Sequence, residues 1–175
     1  MKWLILTALF STCALAQDFY SVKEKSIDGK DFPLSGLKGK TVLVVNIASQ
    51  CGYTPQMTDL EALHQKYKGK NFTVLGVPTN DFGGQTPEDD KAMMEFCQKN
   101  YSATFPILTK KSIVGKDKRE LYKVLTEKPE KKFQAEVGWN FEKFLVNKKG
   151  EVVGRYKSST KPLDENLTKD IEKQL

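Results

Sequence analysis

The chain has 175 residues, 39% of them hydrophobic and 29% charged, which is enough apolar content for a packed core and too much for a disordered segment. Its formal net charge is +6, from 28 Lys/Arg against 22 Asp/Glu. The lysines are scattered among acidic residues and form no stripe. They read as solvated surface, and argue against a nucleic-acid partner.

Residues 1–16 have the form of an export signal. Met1-Lys2 is a positive start, Trp3 to Phe10 is an apolar core of signal-peptide length, and Ala14-Leu15-Ala16 is a small-x-small cleavage site. The run is too short for a stable membrane-spanning helix, so no stable membrane insertion is expected. Two alternatives are a buried N-terminal helix and a lipoprotein modified at Cys13, whose flanking Phe10-Ser11-Thr12 makes a poor lipobox. Cleavage after Ala16 puts the mature chain, one domain over 17–175, in the periplasm or outside the cell. Lys2 is the only charge removed, so the net charge falls to +5. Cys51 and Cys97 remain, with a single histidine, and these three cannot supply an ordinary four-ligand structural zinc site.

Phe19 to Leu37 reads as a β-hairpin, with alternation at Tyr20-Ser-Val-Lys and a turn at Asp28-Gly29. Thr41 to Ala48 is β-branched and nearly all apolar, which predicts a central strand buried on both faces. Beyond Cys51, Pro55 suits the first turn of a helix. Met57, Leu60, Leu63 and Tyr67 give that helix its apolar face, and Gly69 closes it. Phe72 to Val77 is a second buried strand, reached by a right-handed parallel crossover.

Pro78 to Pro87 is a long polar loop at the strand end where Cys51 also lies, the end at which open α/β sheets build their sites. Thr86 can cap a helix starting at Pro87 and carrying Met93, Met94, Phe96, Cys97 and Tyr101. Pro106 to Thr109 is a short extended piece and Lys118 to Leu125 a short helix. Trp139 to Val146 alternates as a strand, Lys148-Lys-Gly150 turns it, and Glu151 to Tyr156 returns. Leu163, Leu167 and Ile171 mark a terminal helix. The order argues an α/β domain: a central mixed sheet with helices on both faces and an N-terminal β-hairpin.

Cys51 sits where a buried strand stops and a helix is about to begin. A helix N-terminus favours thiolate over thiol, so the position suits a nucleophilic cysteine of lowered pKa. The plainer alternative is a small buried hydrophobe. A cysteine hydrolase needs a base, and the single histidine, His64, lies thirteen residues past Cys51 on the same helix, which puts it out of reach. Redox chemistry needs only the thiolate and groups that stabilise it. Cys97 is then either half of a structural disulfide or half of a redox pair. There is no C-x-x-C, since Gly52-Tyr53-Thr54 follows Cys51. Trp139, judged alone, is a core tryptophan.

Asn46-Ile-Ala-Ser-Gln-Cys-Gly-Tyr-Thr54 resembles the active-site signature of the glutathione peroxidase family. Leu75-Gly-Val-Pro-Thr-Asn-Asp-Phe-Gly-Gly-Gln85 resembles its second motif and Trp139-Asn-Phe-Glu-Lys-Phe-Leu145 its third, in family order and spacing. The resemblance runs from about Phe19 to the C-terminus. It implies a thioredoxin-like fold and an antioxidant peroxidase that reduces hydrogen peroxide and organic or lipid hydroperoxides, as in a response to oxidative stress.

Cys51 would be the nucleophile and pass through a sulfenic acid. Trp139 and Asn140 would donate to its anion and to the leaving oxygen. Asp81 stands where the family usually carries glutamine, and Thr79 where it usually carries cysteine. An ionised aspartate cannot donate, so Asp81 could be protonated, act through water, or point away and leave Asn80 or Gln85 to contribute. Cys97 matches the resolving cysteine of the cysteine-type, thioredoxin-dependent members. Pairing Cys97 with Cys51 implies that its helix partly unwinds on oxidation.

The external reductant would be a thioredoxin-like dithiol or glutathione; no bound cofactor or metal is expected. The short charged segment Lys128 to Gly138 resembles that of compact members, implying a monomer or weak dimer. Two rivals stay open: a thiol–disulfide oxidoreductase on the same fold, and an exported binding protein with a permanent 51–97 disulfide.

Overall fold

β3 (Thr41–Ile47) is buried at every one of its seven positions, and the molecule is built around it. The computed structural model describes residues 18–175; the expected export segment 1–16 and Cys13 lie outside the described residues. β3 pairs in parallel with β4 (Phe72–Pro78) and antiparallel with β5 (Lys143–Val146), and β5 pairs antiparallel with β6 (Val152–Tyr156). The four-stranded order is β4-β3-β5-β6, a mixed sheet. A separate antiparallel hairpin joins β1 (Lys23–Lys25) to β2 (Asp31–Pro33), with Gly29 at φ +84° in the connecting turn. Phe19–Ser21, expected to extend the hairpin, is instead a 3-10 turn capped by Asp18.

Because side chains alternate along a strand, the sheet makes two apolar layers. Leu43, Val45, Ile47, Val74 and Leu145 meet α1 (Gln56–Tyr67), α2 (Asp90–Tyr101) and α4 (Glu165–Glu172) through Met57, Leu60, Leu63, Met93, Cys97, Leu167 and Ile171. Val42, Val44, Leu75, Val77, Phe144 and Val146 meet α3 (Glu120–Glu127) and the N-terminal turns on the other face. Each large aliphatic side chain so buried contributes about 1.5–3 kcal/mol. The expected extended piece at Pro106 lies along the outer edge of β4, where Gly76 donates to Pro106 O and accepts from Leu108 N–H. That approach needs the glycine, since a Cβ there would stand 3.1 Å from Phe105 and 3.2 Å from Ile47.

Arg119 and Glu24, both buried, form a two-pronged ion pair at 3.0 and 2.5 Å that ties the hairpin to the start of α3. Such pairs fix an element chiefly because losing one partner strands a buried charge, at a cost of about 3–5 kcal/mol.

Two of the expected boundaries that move lie next to the candidate site, and the helix expected from Lys118 begins at Glu120. α2 starts at Asp90, capped by the Asp89 carboxylate on Ala92 N–H (2.8 Å), and not at Pro87 with Thr86 as cap. Residues 85–88 are held instead by the loop that carries Cys51. The strand expected from Trp139 begins only at Lys143, because Phe141 takes the left-handed conformation at φ +63° and breaks it. The terminal helix begins at Glu165 and leaves Leu163 exposed. No helix among the described residues is long and apolar enough to cross a membrane.

Candidate active site

Cys51 occupies the turn between β3 and α1. The Thr54 hydroxyl donates to Ala48 O (2.9 Å) and accepts from Cys51 N–H (3.0 Å), and Thr54 N–H closes back on Cys51 O (2.9 Å). These bonds fix the Cys51 backbone and leave the sulfur free of it. The Tyr53 N–H points at Sγ from 3.5 Å, the kind of donor that stabilises a thiolate. α1 proper begins one residue after Pro55, so the cysteine stands in the turn that leads into the helix. It is 8% exposed: lodged in the apolar layer but reachable from outside.

Asn46, the polar residue in β3's apolar run, clasps the segment before β5. Its Nδ2 donates to Trp139 O (2.9 Å), its carbonyl accepts from Phe141 N–H (2.7 Å), and its own N–H reaches Glu142 O (3.4 Å). The strand that delivers Cys51 therefore also positions Trp139 and Asn140. For a bulky residue, φ +63° at Phe141 is strained and costs of order 1–3 kcal/mol; it persists because Asn46 and the surrounding core over-determine it.

Asn140 is fully buried and donates Nδ2 to Gln85 Oε1 (2.9 Å). Its Oδ1, like that of Asn46, has no hydrogen-bond partner among the described residues. The Gln85 backbone carbonyl accepts from Gln50 N–H (3.0 Å) and the Ser49 hydroxyl (3.3 Å), so Gln85 joins the Cys51 loop to Asn140. Trp139 is no core residue: it is 41% exposed, its ring tilted against Phe82 at 5.8 Å.

Asp81 is committed elsewhere. Its carboxylate accepts from Ile113 N–H (2.7 Å) and from the Thr79 (2.7 Å) and Ser112 (3.2 Å) hydroxyls. Asn80 likewise turns inward to accept from Thr86 N–H (2.8 Å). Asp81→Gln should cost about 1–2 kcal/mol in a denaturant melt, because the Ile113 N–H loses a charged acceptor. The rate of peroxide reduction should hold or rise, and a large fall would give the carboxylate a part in the chemistry.

Cys97 lies inside α2, fully buried, and packs in the same apolar layer as Cys51; both are free thiols. Burial, reinforced by the nearby charge of Glu88, pushes the Cys97 thiol up to about 12. Glu88 in turn accepts from the Ser49 hydroxyl (2.5 Å) and Gln50 Nε2 (3.2 Å), so the carboxylate clips the Cys51 loop to the approach to α2. His64 is packed between α1 and β4, accepting weakly from Val74 N–H (3.5 Å) and edge-on to Phe105, and burial pulls it down from its ordinary value.

Sequence reasoning brought Cys51, Trp139 and Asn140 forward and considered Gln85 only as a stand-in for Asp81. It missed the clasping role of Asn46 and the clip at Glu88. Asn46 had a legible signal, an amide in a strand otherwise built to be dry.

A family model described as Glutathione peroxidase matches residues 19–126, more than half of the chain. The chain is 50% identical over 157 residues to the glutathione peroxidase-like peroxiredoxin gpx1 of Schizosaccharomyces pombe, covering 90% of this chain and 98% of that one. Among solved structures it is similar to T. cruzi GPX1, with TM-score 0.72 and 30% identity over 90% of this chain and 95% of the other. A thiol:disulfide interchange protein of the thioredoxin family from Chlorobium tepidum aligns at TM-score 0.63 with 17% identity, over 90% and 94% of the two chains, which shows the thioredoxin-like fold alone.

Proposed function

The chain belongs to the glutathione peroxidase family, and on that footing we propose that it is a cysteine-type peroxidase that reduces hydrogen peroxide and organic or lipid hydroperoxides. The observation that carries the reading is the joining of the Cys51 loop to the buried Asn140 amide through Gln85.

The Cys51 thiolate attacks one peroxide oxygen and the O–O bond breaks. The sulfur keeps that oxygen as sulfenic acid, and the other leaves as water or an alcohol once protonated. The departing oxygen carries the developing charge, so donors fixed in advance around it lower the barrier. Asn140 Nδ2 spends one N–H on Gln85 and has a second to offer, and the indole N–H of the half-open Trp139 is available at the surface. Cys97 then displaces water from the sulfenic acid, forming a 51–97 disulfide, and an external reductant restores both thiols. That reductant is a thioredoxin-like dithiol or glutathione. Stopped-flow peroxide consumption with each reductant in turn tests the reading and ranks the two.

The charge, apolar core and Ala14-Leu15-Ala16 of the first 16 residues support export with cleavage after Ala16, and the short segment Lys128 to Gly138 supports a monomer or weak dimer. N-terminal sequencing of the protein from its native source should begin at Gln17; a sequence beginning at Met1 would refute export by this route.

A further inference from the structure

Lys143 is a fully buried ammonium in β5, on the face of the sheet that carries Val45, its register partner, and the Cys51 layer. No carboxylate accepts from it among the described residues. Its Nζ donates instead to three neutral oxygens: Gln56 Oε1 (2.6 Å), Phe141 O (2.9 Å) and Thr160 O (2.6 Å). An ammonium has three N–H donors, and each is used.

The arrangement is costly. Burial pulls Lys143 down to about 8, and an apolar side chain of similar length would suit the surrounding layer better. Stability alone does not account for a lysine here. The three oxygens, however, belong to three segments that meet at Lys143: the first residue of α1 (the helix that follows the Cys51 turn), the strained turn before β5, and the loop after β6. Gln56 is braced in turn by donating to Ser158 O (2.7 Å). The Phe141 carbonyl lies one peptide beyond Asn140, and the left-handed φ at Phe141 decides where Asn140 points.

We infer that Lys143 is a positioning residue for the peroxide step: its ammonium locks the Phe141 turn against the start of α1 and so aims the Asn140 amide at the oxygen leaving from Cys51. The inference rests on the peroxidase reading of Cys51 and Asn140. It goes beyond that reading in giving the step a residue that touches neither the substrate nor the sulfur.

The test compares two reactions of the same thiol in the full-length protein and in Lys143→Met. Oxidation by hydrogen peroxide needs the aimed donor. Alkylation by iodoacetamide, followed by mass spectrometry on the Cys51 peptide, needs only the thiolate. The peroxide rate constant should fall about 10- to 100-fold, the usual penalty for a donor displaced by about an ångström, while the alkylation rate stays at the wild-type value. An unchanged peroxide rate, or an equal fall in both reactions, overturns the inference. A wild type whose Cys51 does not react with peroxide removes the peroxidase reading and the inference with it; a reactive wild type matched by Lys143→Met removes only the inference. Should that variant not fold, Gln56→Met removes one of the three acceptors and leaves the charge in place. It should slow the peroxide reaction about fivefold and spare alkylation, and a wild-type peroxide rate would count against the inference just as firmly.

Discussion

Cys51→Ser should lower peroxide consumption by about 10³-fold or more, close to the uncatalysed rate. The peroxide O–O bond is opened by a soft anion, and a serine hydroxyl supplies one only with a base beside it. His64, the single histidine, packs against Val74 and Phe105 between α1 and β4 and cannot serve. The exchange of one atom should not disturb the fold. Thr54 bonds to the Cys51 backbone, and the only hydrogen bond to Sγ among the described residues is the long one from Tyr53 N–H. Stopped-flow consumption of hydrogen peroxide, paired with a thermal melt, separates the cases. Loss of turnover with an unchanged melting point places the chemistry on the sulfur; substantial residual turnover would move it elsewhere.

The elements that deliver Cys51 were legible because their signals are local. β3 and β4 are buried, mostly apolar runs, and α1 repeats Met57, Leu60, Leu63 and Tyr67 at helical spacing. What escaped was set by contacts between distant parts of the chain. Nothing in Trp139-Asn-Phe-Glu-Lys says that Phe141 turns left-handed, since alternation predicts a continuous strand; the break follows from the Phe141 N–H seeking Asn46 O. Thr86 and Pro87 are a good helix start by local rules. They lose to a pull from outside the segment, because Glu88 bonds Ser49 and Gln50 and holds residues 85–88 out of the helix. Lys143 occupies a position that the strand pattern assigns to an apolar residue, and only the three oxygens around it explain a lysine there.

Cys97→Ser should separate the first turnover from the rest. Each molecule should still consume one equivalent of peroxide at the wild-type rate, because Cys97 has no part in breaking the O–O bond. Steady-state turnover with a dithiol reductant should then fall about tenfold or more, since an intramolecular partner has been lost and an external thiol must meet the sulfenic acid directly. A disulfide needs Cα atoms within about 7 Å, and Cys97 is held as a buried, protonated thiol inside α2. Two restraints keep it there. At the approach to the helix, Glu88 clips the chain to Ser49 and Gln50, the two residues before Cys51. At the other end the Cys97 carbonyl takes N–H bonds from Ser102 and Ala103, where the helix closes on a left-handed Ser102 at φ +51°. That end is the cheaper to release, because a last turn frays at little cost and the left-handed residue is strained. Oxidation of Cys51 should therefore raise amide hydrogen exchange from Cys97 to Ala103 before it does so in the first turn of α2. Mass spectrometry after one equivalent of peroxide should find the 51–97 linked peptide in the wild type and a dimedone-trapped sulfenic acid on Cys51 in Cys97→Ser. A wild type with no linked peptide would remove Cys97 from the cycle and leave it as a packing residue of α2.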